Sequence, residues 1–196
     1  REFEYRGERL QCVFENYNVT WSNERCAELP IARWHLAQTE GPVLEVGNVL
    51  GHYGPHSHTV IDKYETAPSV INADITQWQT DWRFALIISI STFEHIGFDD
   101  EAEGDSGEKI RAAIAACRAL LAPDGRLVIT VPLGYNPALD ELIANDKLAA
   151  DQAHFLLRHG RHQWREALQT EAAGTKYGHP FPYANGLWVA EFSPTN

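Results

Sequence analysis

Short apolar runs separated by polar turns recur along this chain. Val, Ile, Leu and Phe are concentrated in five of them, at residues 43–47, 58–62, 70–72, 85–90 and 126–131. Runs of this length and composition predict buried strands. Between the last two runs, apolar residues recur instead at steps of three and four: Ile110, Ala113, Ile114, Cys117, Leu120 and Leu121. This spacing places them on one face of a helix, so the Cys117 thiol is predicted to lie in the core.

Further elements are predicted on either side of this central region. Residues 23–36 have a helical pattern with an early proline, and residues 186–192 predict a last strand. We expect that strand to be antiparallel and to pair with another near 153–158. The Pro-Asp-Gly segment 123–125 predicts the turn that ends the central helix and leads into the fifth strand. Strands that alternate with helical segments predict an α/β protein with a wound, mostly parallel sheet.

Length and composition agree with a single domain. The 196 residues, 44% of them hydrophobic, are enough to fill one core. We expect residues 1–40 to form a helical cover, residues 41–134 to form the central sheet region and residues 135–196 to form a C-terminal part. The sequence contains no Met, so we also expect that it begins inside a longer chain.

Charge and cysteine usage narrow the range of partners. The net charge is −11 with no basic run, whereas non-specific nucleic-acid binding depends on clustered Lys and Arg. No segment reaches the ~20 apolar residues of a membrane span, and the N-terminus is unlike a signal peptide. Cys12, Cys26 and Cys117 lack metal-ligand spacing, and their odd number cannot close a disulfide framework. We therefore expect a cytoplasmic protein that binds neither nucleic acid nor membranes, and the oligomeric state stays open.

The strongest candidate for a binding site is the glycine turn after the first predicted strand. Gly47 lets the backbone approach a ligand, and Asp62, fifteen residues later, ends the next strand. A carboxylate there can accept hydrogen bonds from both hydroxyls of a ribose, and the spacing fits one βαβ unit. Val49 and His52 occupy two of the three glycine positions in the G-x-G-x-x-G pattern that seats the pyrophosphate of NAD or FAD. Those dinucleotides are therefore disfavoured.

The same turn resembles the acid-x-Gly-x-Gly-x-Gly motif of class I S-adenosylmethionine-dependent methyltransferases. Glu45, Gly47 and Gly51 match it, and Val49 stands where the middle glycine usually lies. Three later segments resemble the same family in the same order: Asn72-Ala73-Asp74-Ile75, the Ser-x-x-Glu-His-Ile pattern at 91–96, and Leu120 to Ile129 with its turn. These segments, together with Asp62, span roughly residues 40 to 134. The sequence is identified as a member of this family from that ordered set.

The resemblance implies a Rossmann-like class I methyltransferase fold with an antiparallel C-terminal strand. It also implies S-adenosylmethionine as cofactor, S-adenosylhomocysteine as product, and methyl transfer to an oxygen or nitrogen of a small molecule, for which a sugar or other natural-product hydroxyl is our expectation. In the family, the acid of the third motif accepts a hydrogen bond from the adenine amino group and the next residue packs on the ring. The cofactor-binding residues predicted in this way are Glu45, Gly47, Asn48, Gly51, Asp62, Asp74, Ile75 and Ser91.

His95 is the candidate catalytic residue. It follows the strand that, in the family, ends beside the departing methyl group, and imidazole titrates where a hydroxyl nucleophile needs a base. The alternative is that Glu94 and His95 only open a helix and position the backbone. Some members of the family need no strong base, because holding the nucleophile against the methyl group supplies much of the acceleration.

The sequence contains two further groups of candidate functional residues, a histidine cluster and an aromatic segment. His52, His56 and His58 lie within seven residues, but Gly54-Pro55 forces a turn between them, so we predict no metal site. The segment 177–186 is aromatic and contains two prolines that fix its path. With Trp164, Tyr17 and Trp21 it is a candidate for the acceptor pocket, and surface packing is the alternative.

Two alternative functions stay open at this stage. The first is a degenerate methyltransferase-like domain that binds cofactor, or nothing, and serves as a partner module without turnover. Val49 in the glycine motif and the alternative role of His95 motivate it. The second is another nucleotide-binding enzyme such as a dehydrogenase. Retained cofactor binding without turnover would favour the first, and binding of a nicotinamide cofactor would favour the second.

Overall fold

The computed structural model describes residues 1–99 and 104–195 of the chain. Within these ranges, the strands and α-helices follow one another in the order β1 (Glu2–Tyr5), β2 (Glu8–Gln11), α1 (Arg25–Ala37), β3 (Val43–Val46), β4 (Thr59–Asp62), β5 (Val70–Asn72), β6 (Phe84–Ile90), α2 (Ser106–Ala119), β7 (Leu121–Pro132), α3 (Pro137–Ala144), β8 (Gln152–Gly160), β9 (Gln163–Ala167), α4 (Gln169–Ala172) and β10 (Gly186–Phe192). The five predicted central strands, the central helix and the last strand are all confirmed.

One eight-stranded sheet carries the fold, in the order β5-β4-β3-β6-β7-β10-β8-β9. The first five of these strands are parallel. β10 is antiparallel both to β7 and to β8, as predicted for the last strand. The chain winds outward from β3 to β4 and β5 on one side, and from β6 to β7 on the other. Ligands of wound α/β sheets bind at the carboxyl ends of the strands where the order reverses, here between β3 and β6.

The connection between β3 and β4 differs from the predicted βαβ unit. It contains a short 3-10 helix, Leu50–Tyr53, in place of an α-helix. Only twelve residues, 47–58, separate the two strands, which is the lower limit for a crossover. Gly54, with a φ of 143°, and the proline after it end the helical turn. The spacing between glycine and acid was therefore right, but the connection is too short for a full helix.

The connection between α2 and β7 also differs in detail from the prediction. The helix begins at an N-cap, Asp105, whose side chain accepts hydrogen bonds from the amides of Gly107 and Glu108. It ends at Ala119, before the predicted turn, and the turn lies inside β7 as an irregularity in its pairing with β6. Gly125 is required there, since an added Cβ would lie 2.5 Å from the Phe84 carbonyl oxygen.

Two layers of apolar side chains cover the faces of the sheet. One is built from α2 and α3 and includes Cys117, as predicted. The other is built from α1 and the β1-β2 hairpin, so the predicted helical cover at 1–40 also contains a hairpin. Tyr5 Oη lies 3.0 Å from His35 Nε2 between hairpin and helix. Burial lowers the pKa of His35 to about 3, and the imidazole is therefore neutral at physiological pH.

No helix in the two described ranges is both long enough and apolar enough to cross a lipid bilayer.

Candidate functional site

The glycine turn lies where β3 and β6 end side by side. Gly47 has a φ of 87°, and an added Cβ would lie 2.2 Å from Thr92 Oγ1. At Gly51, an added Cβ would lie 2.5 Å from Asn48 Oδ1. A side chain at Gly47 would therefore meet the segment after β6, and one at Gly51 would meet the turn itself. The absence of a Cβ lets the backbone of 47–51 pack closely against Thr92 and Asn48.

The Glu45 carboxylate fixes this turn by accepting hydrogen bonds from its backbone amides. Its side chain is fully buried at the end of β3. One oxygen accepts hydrogen bonds of 2.8 Å from the amides of Val49 and Leu50, and the other lies 2.7 Å from His58 Nε2. All of these partners are protein groups, so the structure gives Glu45 the role of fixing the turn's amides. Direct cofactor contact by Glu45 stays a prediction.

Asp62 connects the end of β4 to the glycine turn. Its Oδ1 accepts hydrogen bonds from the amides of Tyr64 at 2.8 Å and Glu65 at 2.7 Å. Its Oδ2 accepts a longer one, 3.2 Å, from the Asn48 amide. The carboxylate is therefore oriented by backbone, and Oδ2 is its less tightly held oxygen. This is the predicted ribose acceptor, at the predicted strand end.

Asn48 points along the same edge. Its Nδ2 donates a hydrogen bond of 2.7 Å to Glu65 Oε1. Its Oδ1 is buried without a hydrogen-bond partner. A buried acceptor without a donor calls for one from a ligand or water, so Asn48 remains a candidate for cofactor binding.

Asp74 and Ile75 follow β5 at the same edge of the sheet. Asp74 Oδ1 accepts hydrogen bonds from the amide and hydroxyl of Thr76, and Oδ2 lies 3.3 Å from Lys63 Nζ. Burial raises the pKa of Asp74, but the Thr76 and Lys63 contacts outweigh it, and the pKa lies below its usual value. Ile75 is buried in the core layer below. Their predicted roles at the adenine ring stay predictions.

A second polar group lies where β6 and β7 end. Ser91 has a φ of 39°, an uncommon left-handed backbone for a residue other than glycine. Its hydroxyl donates a hydrogen bond of 2.7 Å to Glu28 Oε1, which also accepts one of 2.8 Å from Thr130 Oγ1. Glu28 Oε2 lies 2.5 Å from an Arg25 guanidinium nitrogen. Ser91 was predicted as a cofactor contact, and the structure engages its hydroxyl in this buried network.

Glu94 and His95 are adjacent in sequence but differ in environment. The Glu94 side chain is 2% exposed, and its Oε2 has no hydrogen-bond partner. Burial, and then the nearby Glu28, raise the pKa of Glu94 well above its usual value. The His95 side chain is 47% exposed, and its Nδ1 lies 2.5 Å from Asp99 Oδ2. His95, the predicted general base, therefore lies at the surface, whereas the neighbouring Glu94 carboxyl is shielded from water.

The aromatic residues predicted for the acceptor side separate into two groups. Tyr177, from the predicted segment 177–186, contacts the ring of Tyr135, which was not predicted, with centroids 5.1 Å apart. The next residue, Asn136, donates a hydrogen bond from Nδ2 to the Glu94 carbonyl. Trp164 is buried, and its Nε1 lies 3.3 Å from Cys26 Sγ. The prediction of Trp164 in the acceptor pocket is therefore wrong, because β9 places it in the core under α1.

Near the glycine turn, the N-terminal segment forms a cover. The Tyr17 ring stacks on His52 with centroids 4.7 Å apart. His58 contacts Glu45, and His52 lies 3.5 Å from Glu65. The His56 ring packs on the His58 ring, with centroids 4.4 Å apart. Within residues 1–99 and 104–195, no group of three His, Cys, Asp or Glu side chains is arranged to hold a metal ion.

Arg25, Glu28 and Tyr135 are site residues that the sequence analysis missed. Glu24, the N-cap of α1, and Glu28, in its first turn, are buried among mostly apolar positions. Charged residues on the buried face of a helix are the signal that could have found them, because such residues need partners or function.

Comparison with known proteins adds a structural likeness. The sequence matches no protein-family model, and no curated protein matches it. The structure resembles the N-methyltransferase NodS from Bradyrhizobium japonicum WM9, solved with S-adenosyl-L-homocysteine, over 88% of each chain, with a TM-score of 0.54 and 19% identity. A TehB-like SAM-dependent methyltransferase from Corynebacterium glutamicum aligns over 84% of this chain and 86% of its own, with a TM-score of 0.47 and 17% identity.

Proposed function

We propose that this chain, which has the Rossmann-like fold of class I methyltransferases, binds S-adenosylmethionine and transfers its methyl group to an oxygen or nitrogen of a small molecule. The observation that carries the proposal is the junction of β3 and β6. There the Gly47 turn, the oriented Asp62 carboxylate and the segment 91–95 meet at one edge of the sheet. This edge is where wound α/β folds bind nucleoside ligands.

The residues at this edge fit the cofactor. Gly47 and Gly51 lack a side chain where a Cβ would collide with Thr92 or Asn48, so the turn follows a tight path beside Asp62. Asp62 offers Oδ2 to ribose hydroxyls, and the buried Asn48 Oδ1 still needs a donor. We assign Gly47, Asn48, Gly51 and Asp62 to cofactor contact, Glu45 to support of the turn, and Asp74 and Ile75 to the adenine side.

The cofactor supplies a methyl group activated by a sulfonium sulfur. The chain's part is to hold the acceptor atom in line with that methyl group and to exclude water, which can account for much of the acceleration. Ser91 and Thr92 follow β6, where Thr92 contacts the Gly47 turn, and they lead into the segment that we assign to the acceptor. His95 remains a candidate proton acceptor, although its exposed ring is bonded to Asp99.

A second candidate function is a methyltransferase-like binding module without turnover. It is favoured by the two carboxylates, Glu45 and Asp62, whose oxygens already accept hydrogen bonds from the protein. In that case the chain would bind cofactor, or nothing, and would transfer no methyl group. A small-molecule acceptor and a cytoplasmic location belong to the first proposal, that of an active methyltransferase.

Equilibrium binding separates these functions. The chain is titrated in a calorimeter with S-adenosylmethionine, S-adenosylhomocysteine and NAD. Micromolar binding of the first two, followed by transfer of a labelled methyl group to members of an amine and alcohol panel, is the expected result. Binding without transfer to any acceptor would favour the module, and preferential binding of NAD would favour a dehydrogenase.

A further inference from the structure

Glu94 is a buried carboxyl group with an oxygen that no protein group satisfies. Its side chain is 2% exposed, and Oε2 lacks a hydrogen-bond partner. Oε1 lies 3.7 Å from His95 Nε2, beyond hydrogen-bond distance. A buried acceptor in this state is costly unless something else supplies a donor.

The surroundings of Glu94 are rich in carboxylates. Glu24, the N-cap of α1, and Glu28, on that helix, are both buried. Arg25 is the cation whose charge acts on Glu94. Arg25 contacts Glu28 directly, while Glu24 accepts a hydrogen bond from the Ala184 amide. Three buried acids therefore share one guanidinium, and that guanidinium is bonded to Glu28. The arrangement favours an additional positive charge beside Glu94.

Aromatic rings lie beside this group. Tyr135 and Tyr177 are half-buried, with ring centroids 5.1 Å apart in an edge-to-face contact. The pKa of each phenol is raised, chiefly by burial, and the Glu94 charge adds to this rise. Aromatic faces next to a carboxylate are a common environment for ammonium groups.

Glu94 also lies close to the proposed cofactor edge. Thr92, two residues before it, touches the Gly47 turn, and Asn136 fixes the backbone between them by bonding the Glu94 carbonyl. Glu94 therefore follows the end of β6, the strand that lies next to β3 in the sheet.

We propose that Glu94 binds the amino group of the methyl acceptor, so that the substrate is a small amine with an aromatic or apolar body in place of the sugar hydroxyl expected from the sequence. This inference rests on the proposed function, since it assigns the acceptor of that methyl transfer.

The chemistry of the step balances. The bound ammonium gives one proton to the Glu94 carboxylate, which frees the nitrogen lone pair. That pair forms the new bond to the methyl carbon while the bond from carbon to sulfur breaks and its electrons remain on sulfur. The product leaves as a methylammonium ion, and the Glu94 proton passes to solvent. The raised pKa of Glu94 favours the proton transfer, and Glu94 takes the role that the sequence analysis gave to His95.

The test uses two probes of the same shape, phenethylamine and 2-phenylethanol, titrated into the chain saturated with S-adenosylhomocysteine. We expect the amine to bind at least tenfold more tightly than the alcohol. Glu94→Gln should lose at least tenfold in amine affinity while its affinity for S-adenosylhomocysteine stays within twofold. The matched control is Glu141→Gln, on α3, whose side chain is 69% exposed, and it should change neither value.

The pH profile supplies a second readout. Binding is measured from pH 5 to 9, where the groups facing Glu94 are Glu24, Arg25, Glu28, His95, Tyr135 and Tyr177. Amine affinity should rise with pH as Glu94 ionises, and this rise should be lost in Glu94→Gln. Thermal unfolding of that variant checks its fold, and the isosteric amide should fold because it removes a buried ionisable group.

Several outcomes would overturn the inference. Equal binding of amine and alcohol, no binding of the amine at millimolar concentration, or an unchanged amine affinity in Glu94→Gln would each do so while S-adenosylhomocysteine still binds. Loss of S-adenosylhomocysteine affinity in Glu94→Gln would assign the carboxyl to the cofactor instead. Failure of the unaltered chain to bind S-adenosylhomocysteine would be a failure of the proposed function, and it is seen before any amine is added.

Discussion

Gly47 and Thr92 lie against each other across the ends of β3 and β6, so closely that a Cβ on Gly47 would stand 2.2 Å from Thr92 Oγ1. This contact joins the turn that we assign to cofactor binding with the segment that we assign to the acceptor. The two parts of the site are therefore coupled through one position that only glycine fills without displacement.

Gly47→Ala should lower both stability and cofactor affinity. The residue has a φ of 87°, and the left-handed backbone and the contact with Thr92 should together cost about 2 to 4 kcal/mol. We expect affinity for S-adenosylhomocysteine to fall more than tenfold in calorimetry. Gly7→Ala is the control, because Gly7 has a similar φ of 77° but no atom within 4 Å of an added Cβ. An equal loss in both variants would mean that backbone strain alone, and not the Thr92 contact, explains the effect.

Glu45→Ala should destabilise the turn. The buried carboxylate accepts hydrogen bonds from two amides and contacts His58. Removing it leaves these groups without their partner, at a cost of about 3 kcal/mol. Urea unfolding followed by tryptophan fluorescence measures this change. A loss below about 0.5 kcal/mol would show that water replaces the carboxylate and that the turn does not depend on it.

Glu94 makes stability depend on pH in a defined direction. Its pKa is raised in the folded chain, chiefly by burial, so the folded state binds its proton more tightly than the unfolded state does. The resulting stability is complete below the ordinary pKa of 4.5 and is lost as pH rises through the raised value. Glu94→Gln should therefore flatten the decline above pH 5 in thermal unfolding curves. Parallel curves for the two proteins would contradict the buried, ionisable state of this carboxyl.

With an identified methyl acceptor, we expect His95 and Glu94 to contribute unequally to kcat. The exposed His95 ring is bonded to Asp99, so His95→Ala is expected to lower kcat less than tenfold. Glu94→Gln should lower kcat by roughly 100-fold or more, the usual contribution of a proton acceptor. Initial rates at saturating cofactor measure both. The reverse order would restore His95 as the base that the sequence indicated.

The sheet was predictable because its strands are short, buried runs with turn residues between them, and a parallel sheet needs such runs. The predicted class I methyltransferase fold is confirmed by the strand order and by the likeness to NodS. The prediction that Gly47 follows one strand and that Asp62 ends the next is confirmed. Strand ends of this kind can be predicted because they depend on short, local stretches of sequence. The missing crossover helix was not foreseen, since the spacing fits a βαβ unit whether or not a full helix forms.

The residues on the acceptor side of the site could not be predicted from the sequence in the same way. Glu28, Ser91 and Thr130 form one buried network, although more than a hundred residues separate the first from the last. The topology brings these residues together, because it places α1 over the ends of β6 and β7. No local sequence pattern predicts such a contact. Trp164 was misassigned for the same reason, because burial of an aromatic residue depends on which layer covers it.

The most direct test of the central claim is calorimetric titration of the chain and of Asp62→Ala with S-adenosylhomocysteine. Asp81→Ala serves as the control, since Asp81 is an exposed acid just before β6, at the opposite edge of the sheet. The account predicts micromolar binding by the unaltered chain and by Asp81→Ala, and at least tenfold weaker binding by Asp62→Ala. No binding by the unaltered chain, or equal binding by all three proteins, would contradict a cofactor site at the ends of β3 and β4.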